Sequence, residues 1–79
     1  MRQHFRPKRI AEKVKAIRQH LGVSQTGMHQ ILEMKGYYNR ISDYERGKRI
    51  PSLRTLLAYA RAGKIPLEEL VDDEMELTI

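Results

Sequence analysis

The sequence has no cysteine, so neither a disulfide nor a thiolate metal site holds this chain together. Its three histidines, His4, His20 and His29, are too few and too separated for a zinc set. No apolar run approaches the roughly 20 residues of a membrane span. The opening stretch Met1 to Arg9 is basic but lacks the apolar segment of a secretory leader. No nucleophile–base pair, metal set or phosphate-binding glycine loop is present, which argues against an enzyme and against a bound cofactor. Together these absences point to a soluble protein of a reducing cytoplasm.

What is there is charge, and it is segregated. All 15 Lys and Arg precede Ile65, whereas residues 65–79 carry six of the ten acids and no Lys or Arg. The net charge of +5 therefore hides a strongly basic body followed by an acidic end. Such segregation fits a body that faces a polyanion, with an acidic tail kept away from it. At 79 residues the chain has room for one domain with a small core. Without staples, regular helix packing, with dimerisation, is the remaining route to stability.

Apolar spacing predicts five short helices and no strand. Pro7 suits a first helical turn, where its missing N–H has no partner to lose. Ile10, Val14, Ile17 and Leu21 then form one helical stripe, ended by Gly22. Ser24 caps a second helix over Gln25 to Glu33, with Met28, Ile31 and Leu32 on one face and Gly27 giving room for a close helix. A third helix runs from Tyr38 to Arg46, with Ile41 and Tyr44 inward and Gly47 as its left-handed end. "KRIP" is a loop, because the residue before Pro51 is pushed out of the α region. Ser52 caps a fourth helix whose Leu53, Leu56, Leu57 and Ala60 make the clearest amphipathic pattern in the chain, and Gly63 closes it. Pro66 opens a short fifth helix, Leu67 to Val71. The expected organisation is a flexible basic arm over 1–9, a helical body over 10–71 and an acidic tail over 72–79.

Two segments carry a resemblance. "VKAIRQHLGVSQ" at 14–25 is similar to the first helix and the start of the second in the lambda repressor and Cro-like (XRE-type) helix-turn-helix family, with Val14, Ile17, Arg18, Val23, Ser24 and Gln25 in the matching places. "ISDYERGKRIPSLRTLLAYARAGKIPLEEL" at 41–70 resembles that family's third helix, basic loop and last two helices. The turn between Ser24 and Glu45 is longer than the common family spacing, with the extra length in "EMKGYY". The resemblance implies an all-α, five-helix, lambda repressor-like DNA-binding domain and a cytoplasmic, sequence-specific transcriptional regulator, a repressor, of a bacterium, phage or mobile element.

The same resemblance supplies candidate roles. Glu45 pairs with Arg18 and so points away from DNA, which explains an acid beside the cations of "SDYERGKRIPS". The third helix enters the major groove, with base readers at Tyr38, Asn39 and Asp43. Asn39 can bond adenine through two hydrogen bonds, and Arg40 can reach guanine or phosphate. Asp43 either accepts from a cytosine amino group or pairs locally. Gln25, Tyr37, Arg46, Lys48 and Arg49 are the phosphate candidates. Arg2, Arg6, Lys8 and Arg9 can follow the backbone or a minor groove. Tyr44 and Tyr59 read as core, with Tyr59 alternatively at a dimer surface. The expected partners are double-stranded DNA carrying an inverted repeat and a second copy of the chain, with Leu67, Leu70, Val71, Leu77 and Ile79 as candidate dimer residues. Two alternatives remain at this level. One is an antitoxin that also binds a basic toxin through residues 68–79. The other is a protein-binding module that has lost DNA binding.

Overall fold

The computed structural model describes residues 7–34 and 39–79, leaving out the side chain of Asn39. Among the described residues five helices follow one another: α1 Ile10–Leu21, α2 Gln25–Ile31, α3 Asn39–Glu45, α4 Leu53–Gly63 and α5 Leu67–Val71. No strand occurs among the described residues. The all-α, five-helix arrangement is the one the spacing predicts, and it agrees with the lambda repressor-like domain that the resemblance implies. Among the described residues no helix is long and apolar enough to cross a membrane, and no group of His, Asp and Glu is placed to hold a metal ion.

Helix α1 is the hub, packed against α3, α4 and α5, while α2 packs on α3. Its stripe of Ile10, Val14 and Ile17 is buried, and Met28, Ile41, Leu56, Tyr59 and Leu70 close the core around it. Truncating any of these to alanine costs about 2–5 kcal/mol. Gly63 belongs to this packing. It lies inside α4, and a Cβ there would come within 3.2 Å of Ile17 Cγ2. The left-handed turn that ends α4 falls instead on Lys64, at φ 58°.

The start of α1 differs from expectation for a physical reason. The helix begins at Ile10, not Pro7, and its N-cap residue Arg9 makes no side-chain cap bond. The donors ahead of it are met from the far end of the chain. The Asp73 carboxylate accepts the Lys8 N–H at 2.8 Å and the Arg9 N–H at 3.0 Å. The Arg9 guanidinium donates to Glu76, to Glu12 and to the Asp73 carbonyl. Lys8 and Arg9 are thus fastened to the acidic segment. One turn along, Lys13 lies buried, and its ammonium donates to the carbonyls of Glu69, Asp72 and Met75, each at 2.7 Å. Buried Glu69 accepts from Thr78 N–H and Oγ1 at 2.8 and 2.9 Å. Residues 72–79 therefore fold back along α1.

Other departures are local. Helix α2 stops at Ile31 rather than Glu33, because Glu33 takes the left-handed conformation at φ 53° and the Met34 N–H turns back to the His29 carbonyl. Ile31 is exposed, while Met28 and His29 are buried. Gly27 makes room for the cap and not for another helix: a Cβ there would meet Val23 Cβ at 3.2 Å and Ser24 Oγ at 3.4 Å. Leu53 is exposed, since the buried stripe of α4 is Leu56, Tyr59, Ala60 and Gly63 and the first turn projects past the core. Among the suggested dimer residues, Leu70 is fully buried, and Leu67, Val71 and Leu77 pack against the core. Tyr59 is also wholly buried, which removes it from any dimer surface.

Candidate functional site

Helices α2 and α3 are held to α1 by one carboxylate. Glu45, the last residue of α3, accepts Arg18 Nε on Oε2 at 2.6 Å and Arg18 Nη2 on Oε1 at 3.0 Å. Its side chain is 4% exposed. The remaining Arg18 nitrogen, Nη1, donates to the Val23 carbonyl at 3.0 Å, in the turn between α1 and α2. This two-pronged pair is the strong geometry for arginine and carboxylate. It holds the Arg18 pKa above its ordinary value, chiefly through the Glu45 hydrogen bonds and against the opposing effect of burial. Gln25, the first residue of α2, donates from Nε2 to Glu45 Oε1 at 3.2 Å. Three helices thus meet at Glu45, whose carboxylate accepts three hydrogen bonds from within the fold. Beneath the pair, burial pushes the Tyr59 hydroxyl pKa upward, and the charge of Glu45 adds to the shift.

Ser24 makes the α2 cap, its hydroxyl accepting the Gly27 N–H at 3.0 Å. Helix α3 buries Ile41 and Tyr44 and leaves Arg40 and Asp43 partly exposed. It ends at Glu45, one residue before the expected Arg46, and Gly47 just beyond it has φ 74°. Only a residue without a Cβ adopts that conformation freely, and it lets the Lys48 N–H return to the Asp43 carbonyl at 2.8 Å. The chain then leaves α3 sharply, and Arg46, Lys48 and Arg49 stand exposed in the α3–α4 loop. Ile50 beside them is exposed too, while Pro51 is buried.

The candidates named from sequence fall into three groups. Gln25, Arg40, Asp43, Arg46, Lys48 and Arg49 lie on α2, on α3 and in the loop that continues it. Arg18 and Glu45 lie behind them as the tie just described. Tyr37 and Tyr38 lie outside the described residues, as do Arg2 and Arg6, and Asn39 is described only as the first residue of α3. Asp43 lies close to two loop cations: its Oδ1 is 3.3 Å from Arg46 Nη2 and its Oδ2 is 3.6 Å from Arg49 Nε.

Sequence reasoning missed Arg54. It is exposed in the first turn of α4 and lines, with Arg40 and Arg49, an open groove between the end of α2 and the start of α4. Its position just after the Ser52 cap was the available signal. Lys13 was missed as well. Its partners are backbone carbonyls far along the chain, which leave no side-chain signal in the sequence.

Residues 14–70 match the model of a family described as helix-turn-helix. No curated protein matches the chain in sequence. Among solved structures, the P22 c2 repressor protein, crystallised in complex with synthetic operator 9T in the presence of Tl+, shares the fold. The two superpose with a TM-score of 0.71 at 23% identity, over 82% of this chain and 96% of that one.

Proposed function

The chain belongs to the helix-turn-helix family, and we propose that it is a sequence-specific double-stranded DNA-binding transcriptional regulator, a repressor, with α3 in the major groove. The observation that carries this reading is the continuity of α3 with the exposed loop cations Arg46, Lys48 and Arg49. A helix seated in the groove would bring those cations to the flanking phosphates. That the neighbour of like fold, the P22 c2 repressor, was solved with a synthetic operator supports the same reading.

In this arrangement Asn39 and Arg40, on the first turn of α3, are the base readers, with Tyr38 just ahead of them. Gln25, Tyr37, Arg46, Lys48 and Arg49 hold phosphates and fix the register without reading sequence. Gln25 is oriented for this by its bond to Glu45. Arg18 and Glu45 set the angle between α1 and α3 and touch no DNA. One small module reads few bases, so two copies act together on an inverted repeat, with half-sites about 34 Å apart. The protein works in the cytoplasm of a bacterium, or of a phage host, without a cofactor.

The antitoxin reading draws less support. It needs free acidic charge on residues 68–79, yet Glu76 is paired with Arg9, and Glu69, Asp72 and Asp73 are held by hydrogen bonds within the chain, which leaves Glu68 and Glu74 as the exposed acids outside these contacts. The reading of a module that has lost DNA binding sits poorly with an intact basic loop. Selection of bound duplexes from a random DNA library, near physiological salt, tests the proposal. Enrichment of an inverted repeat is the expected result. Weak, salt-sensitive binding with no enriched motif would overturn the sequence-specific reading.

A further inference from the structure

Asp43 is the one acid on the outward side of α3, and its surroundings are organised. Each carboxylate oxygen faces a different guanidinium, Oδ1 toward Arg46 and Oδ2 toward Arg49. Its carbonyl also accepts the Lys48 and Arg49 N–H groups, at 2.8 and 3.3 Å. One residue therefore grips the basic loop by both its backbone and its side chain. The layering matters. The Asp43 side chain is 20% exposed, whereas those of Arg46 and Arg49 are each 57% exposed, so the anion lies behind and the cations in front. Glu45, two residues on, does not share this role, because Arg18 and Gln25 already occupy its carboxylate.

We propose that Asp43 is an internal counterion of the α3–α4 loop, which holds Arg46 and Arg49 in the free protein, yields them to phosphate on binding, and so sets the sequence-independent part of the affinity. The inference rests on the DNA-binding reading above and replaces base recognition as the role of Asp43. Ion pairs this exposed are weak and salt-sensitive. Each guanidinium carries five N–H donors, and one contact to a carboxylate leaves most of them facing outward. A phosphate arriving in front thus finds cations already placed, and it displaces the carboxylate at small cost. The carboxylate stays close by, and its repulsion offsets part of the attraction that the cations supply. Nonspecific affinity comes almost wholly from phosphate contacts. An anion set behind the loop cations therefore weakens attachment to DNA of any sequence, and it weakens operator binding by the same factor.

The test compares the wild type with Asp43→Asn, which keeps the shape and removes the charge. A thermal melt first checks that the variant is folded, and Asp43→Ser serves as the second variant if it is not. Two duplexes are titrated: the one enriched by the wild type in the random-library selection, and a scrambled version of it. The expected result is tighter binding of both duplexes by the same factor, up to about fivefold near 50 mM salt, with a nearly unchanged salt slope, because the same phosphates are contacted. Unchanged or weaker binding of the scrambled duplex would overturn the proposal. So would a change confined to the enriched duplex, with altered choice at one base pair, because that is the signature of a base reader. If the wild type binds no duplex at all near 50 mM salt, the DNA-binding reading itself fails, and the role given to Asp43 fails with it.

Discussion

Arg18 Nε lies 2.6 Å from Glu45 Oε2, and through this contact the first helix of the fold grips the last residue of the third. The pair is partly buried, at 16% and 4% exposure, and Glu45 also receives Gln25 from the start of α2. Glu45→Ala therefore leaves a cation without its partner, frees the Gln25 amide and opens a gap under α3. The expected loss is about 3–5 kcal/mol, mostly from the orphaned charge. For a domain of this size that lowers the melting temperature by more than about 10 °C. Circular dichroism melts measure it, and a shift of a degree or two would show that the pair contributes little more than a surface contact.

Acid should loosen the C-terminal segment before it unfolds the body. The Lys8 and Arg9 N–H groups hold the Asp73 carboxyl below its ordinary value of 3.8, with the charges of Lys13 and Arg9 adding to the effect. The Arg9 guanidinium holds Glu76 below 4.5 through its hydrogen bonds. Both acids have depressed values in the folded state, so their stabilisation is fully present above the unfolded values and disappears as pH falls through the folded ones. Stability should thus hold from neutrality down to about pH 5 and decline below about pH 4.5. Asp73→Asn should flatten that decline and speed amide exchange at Lys8 and Arg9 already at pH 7. An acid profile identical to wild type would rule out Asp73 as the fastening.

The helices were legible because each carried its own local signals. Ile10, Val14 and Ile17 repeat at helical spacing, Gly22 and Gly47 turn the chain at positive φ just past α1 and α3, and Ser24 and Ser52 accept the N–H groups of Gly27 and Thr55. What escaped the sequence was non-local. Nothing near Pro7 says that α1 waits until Ile10, because Asp73, at the other end of the chain, supplies the missing acceptor. Nothing around Lys13 says that its ammonium is buried, because its carbonyl partners come from α5 and beyond. Leu53 and Leu56 look equivalent in the apolar pattern, but only Leu56 lies above the core. At the candidate site, the Arg18–Glu45 contact came from the likeness of "SDYERGKRIPS" to a known family and not from spacing. The engagement of Asp43 with Arg46 and Arg49 was one of two options that the sequence left open.

Arg49 and Asn39 separate the two kinds of contact that the proposed function requires. Arg49 is exposed in the loop, and the proposed docking of α3 would bring it to a phosphate and to no base edge. Arg49→Ala should weaken binding to every duplex alike and reduce the slope of log affinity against log salt by about one unit. Asn39 stands at the first turn of α3, where a side chain meets base edges when the helix enters the groove. Asn39→Ala should leave the slope nearly unchanged, relax the choice at one base pair, and cost about 1–3 kcal/mol on the preferred sequence only. Fluorescence anisotropy titrations on the enriched and scrambled duplexes, across a salt series, report both effects together. If Asn39→Ala changed the slope while Arg49→Ala changed the base preference, the orientation of α3 proposed here would have to be reversed.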